Sequence, residues 1–241
     1  MTRTPSPLGL ADDLAGVEVV MLAGGGIETT SLMPRLLLHG CLVTPLHVRC
    51  GLRWESHEAA ALSRFCDSLA APGLRPLVEI DYPLRDLLAS HWAINGDEVP
   101  AADAPPARLE IPLRNITLLT AAAMRFRDRA ELTLVTGTTA DNHFGDGSRA
   151  FFDQCESLLS MATGRRVRVL TPYIHLGKPE IIRQSDPAAL AASWSCVDPH
   201  DGLQCGRCIK CGRRQQAFRD AGMADPTRYA SPPGAVDNRP S

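Results

Sequence analysis

The chain has 241 residues, above the ~150 that serve as a prior for one domain, so it accommodates one large α/β domain with a small appendage but not two full-sized domains. Apolar residues make up 44% and charged residues 22%, enough for a sizeable core, which excludes disorder as the global state. Twenty-five basic against 27 acidic side chains leave a net charge of -2, which argues against a protein that coats nucleic acid or an anionic membrane. No apolar run approaches the ~20 residues of a spanning helix, and Asp12 and Asp13 fall where a signal peptide needs its apolar region. A cytoplasmic protein is expected, with no membrane contact and no direct nucleic-acid binding.

Glu18 to Leu22 is a β-rich run that meets Ala23 and three glycines, Gly24, Gly25 and Gly26; the apolar-rich stretch Thr29 to His39, ended by Gly40, follows as a helix. Pro34 fits that helix best in its first turns, where a missing N–H matters less. Leu42 to Val48 predicts a strand, Ser56 to Ala70 a helix, and Leu77 to Ile80 another strand. Residues 93–110, rich in Ala, Pro and Asp, predict one long loop of the kind that serves as a lid or binding wall. Ile116 to Arg129 predicts a helix, Glu131 to Thr136 a strand, Phe151 to Ala162 a helix and Val167 to Leu170 a strand. This alternation gives a parallel sheet of about five strands with helices on both faces. From Ser193 the text turns to Cys, Gly and Arg, with a short helix over Gln215 to Ala221. The expected division is 1–192 for the α/β body, 193–225 for a cysteine-rich subdomain and 226–241 for a disordered tail. The arginine clusters at 125–129 and 165–168 are expected on solvated faces.

In open α/β sheets a ligand sits beyond the carboxyl ends of the strands, and a first strand-to-helix turn rich in glycine holds phosphate with backbone N–H groups. Gly24 to Gly26 occupy that turn, but Thr29 stands where a dinucleotide fingerprint needs its third glycine, and no Gly-Lys-Ser/Thr follows. Cys196-x8-Cys205-x2-Cys208-x2-Cys211 supplies four thiolates, the number a closed structural zinc site takes, ahead of an iron–sulfur cluster or redox thiols. Cys41, Cys50, Cys66 and Cys155 are scattered on apolar faces and are expected as core thiols. Lys178 and Lys210 are the chain's only lysines.

Five segments resemble the QueC family in order and rough spacing: the strand with GGGIETT, then IPLRNITLLTAAA (111–123), GTTADNHFGDG (137–147), TPYIHLGKPEII (171–182) and SWSC with CGRCIKC (193–211). Members of this family are 7-cyano-7-deazaguanine (preQ0) synthases of the PP-loop ATP pyrophosphatase superfamily. The resemblance implies a Rossmann-like, adenine nucleotide α-hydrolase-like sheet, ATP with Mg²⁺, one structural zinc on Cys196, Cys205, Cys208 and Cys211, and a homodimer. It also implies ATP-dependent adenylation of the carboxylate of 7-carboxy-7-deazaguanine, attack by ammonia to give an amide, and a second ATP-dependent step to the nitrile.

The resemblance places Leu22, Ala23, Gly24, Gly25, Gly26, Ile27, Glu28, Thr29, Thr30 and Gly137 at the nucleotide. The family's loop is Ser-Gly-Gly-x-Asp-Ser; here Gly24 replaces the leading Ser, Glu28 the Asp and Thr29 the closing Ser. Lys178, Glu28, Arg114 and Asp141 are the catalytic candidates, with Lys178 steadying the departing pyrophosphate and Asp141 available to Mg²⁺. Arg53, Trp54, Asn115, Asn142, Arg149 and His175 are the substrate-binding candidates. Two pocket segments differ from the family: Tyr-Gly-Gln-Arg-His is Cys50-Gly51-Leu52-Arg53-Trp54, and Gly-Tyr-Pro-Asp-Cys-Arg is reduced to Gly145 to Arg149. An alternative acceptor is therefore a protein N-terminal amine, as in the QueC-like ligases of type IV CBASS anti-phage operons. A rival reading is a non-catalytic, zinc-stabilised nucleotide-binding module.

Overall fold

The computed structural model describes residues 14–231. Alternation along the central strand β1 (Glu18–Leu22) buries Val19 and Met21 in one apolar layer and Val20 in the other, so the sheet must be covered on both faces. β1 pairs in parallel with β2 (Leu42–Arg49) on one side and β4 (Glu131–Val135) on the other. β3 (Val78–Asp81) and β5 (Arg166–Leu170) complete the order β3-β2-β1-β4-β5. The strand order reverses between β1 and β4, the crevice where α/β sheets bind ligands.

One layer holds α1 (Ile27–Leu38), α2 (Glu55–Leu69), α6 (Lys178–Arg183), α7 (Pro187–Ala192) and α8 (Ile209–Ala221), which bury Leu32, Leu36, Leu62, Phe65, Ile181, Leu190 and Phe218 against the sheet. The opposite layer holds α4 (Arg114–Arg125) and α5 (Arg149–Thr163), through Leu119, Ala122, Phe152 and Leu159. Each such side chain removed from water contributes ~1.5–3 kcal/mol against the entropy of ordering the chain. Cys41, Cys50 and Cys155 are buried as expected, with Cys66 partly so.

Several elements differ from the sequence reading. The 93–110 loop is shorter than expected, because α3 (Trp92–Asn95) opens it and a 3-10 turn, Pro106–Leu109, lies near its end. α3 forms because Trp92 stacks on Trp54, ring centroids 5.5 Å apart and 18° from parallel. Helix α8 begins at Ile209, inside the cysteine cluster, instead of at Gln215. Pro34 lies in the body of α1, whose buried face carries the helix past the missing donor. Arg165, expected in solvent, clasps the end of α4: its Nη1 donates to the carbonyls of Phe126 and Arg129, both at 2.6 Å, and its Nη2 to that of Ala123 at 2.8 Å.

Residues 226–231, expected in a disordered tail, are part of the folded body, and 232–241 lie outside the described residues. The Tyr229 hydroxyl donates to Asp225 at 2.6 Å, and Ala230 N–H bonds the Gln204 carbonyl at 2.9 Å. Asp225 also receives Nε of Arg214, which is 1% exposed and reaches Ser193 Oγ at 2.6 Å and the Leu190 carbonyl at 3.0 Å. A buried guanidinium needs this full set of acceptors, and Tyr229 of the tail segment orients one of them, Asp225. No helix among the described residues is long and apolar enough to cross a membrane.

Backbone packs closely under the first strand-to-helix turn. Gly25 has φ +70, and a Cβ there would sit 2.9 Å from the Glu58 carbonyl and 3.2 Å from the Leu62 nitrogen, both backbone atoms of α2. Gly25→Ala is expected to cost ~2 kcal/mol or more, against ~1 kcal/mol for Gly16→Ala, whose φ is +78 but whose surroundings are open. Urea titration of both variants checks this; equal losses would show that the approach of α2 does not hold the loop.

Candidate active site

The glycine turn is shaped from several directions. Ala23 N–H bonds the Leu46 carbonyl at 2.9 Å, and the Ala23 carbonyl accepts from His47 Nδ1 at 2.9 Å. Thr29 Oγ1 accepts from the Gly24 N–H at 3.3 Å, which closes the turn from inside. The Gly25 carbonyl accepts from the Trp194 N–H at 2.8 Å, which ties the cysteine-rich segment to the loop. Ile27 and Thr30 are buried, and Thr30 Oγ1 donates to the Ile27 carbonyl at 3.4 Å. Leu22, Ala23, Ile27, Thr29 and Thr30 therefore build the loop from behind, whereas Glu28 faces outward.

Glu28 Oε1 pairs with Lys178 Nζ at 2.5 Å, with side-chain exposures of 24% and 19%. Burial alone would raise the Glu28 carboxyl, but the charges of Lys178 and Lys210 and the Lys178 hydrogen bond outweigh it and hold the group at about 2. Gly137 makes the pairing possible, since a Cβ there would lie 2.9 Å from that of Glu28. Lys178 opens α6, and its backbone N–H donates to Asp141 Oδ2 at 2.7 Å, so Asp141 caps the helix that carries the lysine. Glu58, on α2, has a carboxylate 3.8 Å from a Cβ placed on Gly24; burial pushes its carboxyl above the usual range, opposed by Arg114, His47 and Lys210.

Two cavities open beside these groups. The first, 250 Å³, is lined by Trp54, Trp92, Leu109, Ile111, Phe144 and Val197 with the polar groups of Glu58, Arg114, Asn115, Asn142, Asp146 and Lys210. The second, 350 Å³, is lined by Glu28, Gly137, Thr138, Thr139, Asp141 and Lys178 on one side and by Lys210, Arg213, Gln216 and Asp220 of α8 on the other. Leu109, Asn142, Phe144 and Lys210 line both. Leu109 comes from the 93–110 segment, which thus forms a wall of each.

The structure brings Trp54, Arg114, Asn115 and Asn142 to the first cavity and Glu28, Gly137, Asp141 and Lys178 to the second. It does not bring Arg53, Arg149 or His175 to either. Arg53 lies 3.7 Å from Asp198 in the cysteine-rich segment. Arg149 is spent on the end of β5, donating to the Val169 carbonyl at 2.9 Å and Thr171 Oγ1 at 2.8 Å, and on Asp153. His175 is exposed on the turn before α6. Asp146 is a further site residue: its carboxylate accepts from the Asn115 N–H at 3.0 Å and caps α4, while its carbonyl accepts from Asn115 Nδ2 at 2.7 Å. Glu58, Trp92, Phe144, Lys210 and Arg213 also escaped the sequence reading. A buried-face acid at Glu58 was the one available signal, since an acid on the apolar side of a helix needs a reason.

The thiols of Cys196, Cys205, Cys208 and Cys211 are buried with all four sulfurs within 4.8 Å of one another. Cys196–Cys208 and Cys205–Cys211 are each 3.9 Å apart, close to the ~3.8 Å edge that Zn–S bonds of about 2.3 Å impose on a tetrahedron. Backbone N–H groups of Asp198 and Cys205 point at the Cys196 sulfur at 3.3 and 3.2 Å, and those of Arg207 and Cys208 at the Cys205 sulfur at 3.4 and 3.3 Å. Donors aimed at sulfur suit thiolates, and the set fits a structural metal site closed to substrate.

Residues 18–222 match the family described as QueC, queuosine biosynthesis protein QueC. A 7-cyano-7-deazaguanine synthase 1 of Sphingopyxis alaskensis is 36% identical over 50% of this chain and 58% of its own length. The 7-cyano-7-deazaguanine synthases of Anaeromyxobacter dehalogenans and Chlorobaculum parvum are 28% and 25% identical, each over 88% of this chain and 96% of theirs. With the parallel sheet, the glycine turn and the thiol cluster in place, a match from the first strand to the end of the last helix establishes that the chain belongs to the QueC family.

Proposed function

We propose that this protein is an ATP-dependent enzyme that adenylates the carboxylate of 7-carboxy-7-deazaguanine and passes the acyl group to a nitrogen nucleophile, ammonia in the first instance. The observation that carries the reading is the meeting of two cavities: one floored by aromatic rings and fringed with polar groups, the other set between Glu28 at the start of α1, Lys178 and the cationic start of α8. A flat base suits the first and a triphosphate the second. In the first step a carboxylate oxygen forms a bond to the α-phosphorus, the bond from that phosphorus to the bridging oxygen breaks, and pyrophosphate leaves with the electron pair. Lys178 would meet the charge gathering on pyrophosphate, with its ion pair to Glu28 aiming it. Asp141, with its second oxygen free of the helix cap, is the candidate for Mg²⁺. Ammonia then displaces AMP to give the amide, and a second ATP converts the amide oxygen into a leaving group on the way to the nitrile.

A second acceptor is favoured by one feature. Where the family carries a bulky Tyr-Pro, this chain has a turn of exposed Gly145, half-exposed Asp146 and buried Gly147, of which Asp146 lines the first cavity. A peptide amine needs such an opening to bring its nitrogen within ~3–3.5 Å of the acyl carbon. In the same reading residues 193–225 are the metal-binding part of the chain, zinc is held by the four thiolates, and its role is to fix α8.

Lys178→Ala is expected to lower acid-dependent release of AMP and pyrophosphate by ~10² or more, with ADP and phosphate absent throughout. Tight ATP binding without turnover in the wild type would favour the non-catalytic module. Because Glu28 is depressed from 4.5 to about 2, the pair stabilises the fold fully above pH about 4.5, and that contribution is lost as pH falls through about 2. Carboxyl NMR should show the Glu28 midpoint moving up in Lys178→Ala.

Purified protein is expected to carry one equivalent of zinc, and Cys205→Ser to lose both metal and cooperative unfolding, because the metal's binding energy is also folding energy. Less than half an equivalent, with Cys205→Ser folding normally, would overturn this. Incubation with the acid, ATP and a candidate acceptor protein should give an adduct of deazaguanine mass if the open rim admits peptides; clean conversion to the nitrile with ammonium and no adduct would restrict the acceptor to ammonia.

A further inference from the structure

We propose that Lys210 is a catalytic residue of the adenylation step: it takes the substrate's carboxylate at the junction of the two cavities and holds it against the α-phosphate of ATP. The inference rests on the functional reading above and adds to it the group that brings the two substrates together.

Only four described residues line both cavities, and two of them, Leu109 and Phe144, are apolar. The third, Asn142, has its side-chain oxygen occupied by the Phe144 N–H at 3.1 Å. Lys210 is the one charged group at the passage. Among the described residues it makes no ion pair within 4 Å, whereas the other lysine is already committed to Glu28 at 2.5 Å. A cavity that must admit a carboxylate beside a triphosphate needs a cation at their meeting point, since two anions otherwise repel at contact distance.

The lysine is also well held. It is the second residue of α8, flanked by Cys208 and Cys211, both buried. The preceding Ile209 N–H bonds the Pro100 carbonyl at 2.8 Å, and Ala101 bridges Cys208 across the same contact. Its backbone is thus pinned to the thiol cluster and to the 93–110 wall at once, which gives the flexible stem a fixed origin. During adenylation the negative charge of the carboxylate disappears into the new oxygen–phosphorus bond while charge accumulates on the departing pyrophosphate. Lys210 would serve the entering oxygen and Lys178 the leaving one, and no proton changes hands.

The test compares binding of the acid with that of its neutral carboxamide, by calorimetry, to wild type, Lys210→Met, Lys210→Gln and Lys210→Arg. Zinc content and thermal unfolding show that the variants are folded. The acid should bind at least ~10-fold more weakly to the Met and Gln variants, with partial recovery in the Arg variant, while carboxamide and ATP affinities stay within about twofold. Acid-dependent exchange of pyrophosphate into ATP should fall in parallel. Equal losses for acid and carboxamide, or none for either, would overturn the assignment of Lys210 and leave the functional reading standing. Failure of the wild type to bind either ligand would overturn both.

Discussion

The backbone hydrogen bond from Trp194 to the Gly25 carbonyl, 2.8 Å long, ties the cysteine-rich segment directly to the glycine turn of the sheet. It exists because Gly25 takes a left-handed turn that no side chain would allow, with the backbone of α2 already at contact distance. The turn therefore does three things in one residue: it ends the strand, admits Glu58, and presents an acceptor to the segment that leads into the thiols. Remove the close approach and the cysteine-rich segment loses its direct backbone tie to the glycine turn.

Around that turn the charges alternate. Glu28 and Glu58 face Lys178 and Lys210, with Arg114 and Arg213 further out along the two cavities. Two acids against two lysines make the inner ring neutral without ligand, which spares the fold a burst of like-charge repulsion beside an apolar core. On the proposed reading, a nucleotide need only displace Glu28 from Lys178 to find a cation already partly desolvated and aimed.

The sheet was legible because strands buried on both faces announce themselves as runs of Val, Leu and Ile, and because glycine and proline mark where those runs stop. Helices α6 and α7 were not, since six residues each give too few apolar positions to establish a period, and their proline starts resemble loop. The start of α8 was hidden by the cysteines, whose spacing reads as a knuckle before it reads as a helix. Within the site, Glu28, Lys178, Asn115 and Asn142, each named in the sequence by its motif, line one or other of the two cavities. Positions that depend on tertiary contact were not legible: Arg149 turns to the Val169 carbonyl and the Thr171 hydroxyl, Arg53 to Asp198, and Lys210 is placed by α8 starting among the thiols.

The scarcity of lysine has a consequence for a protein proposed to make an activated acyl group. All but two of the 25 basic residues are arginine, and the two lysines face one crevice. Guanidinium groups keep their protons and do not attack an acyl phosphate, whereas a free amine does. An acyl-adenylate that escaped into solvent would thus meet no lysine outside the crevice, and inside it the Glu28 carboxylate already engages Lys178. With arginine in place of lysine elsewhere in the chain, no side-chain amine outside the crevice is available to such an intermediate, and a reagent that labels side-chain amines labels this crevice alone.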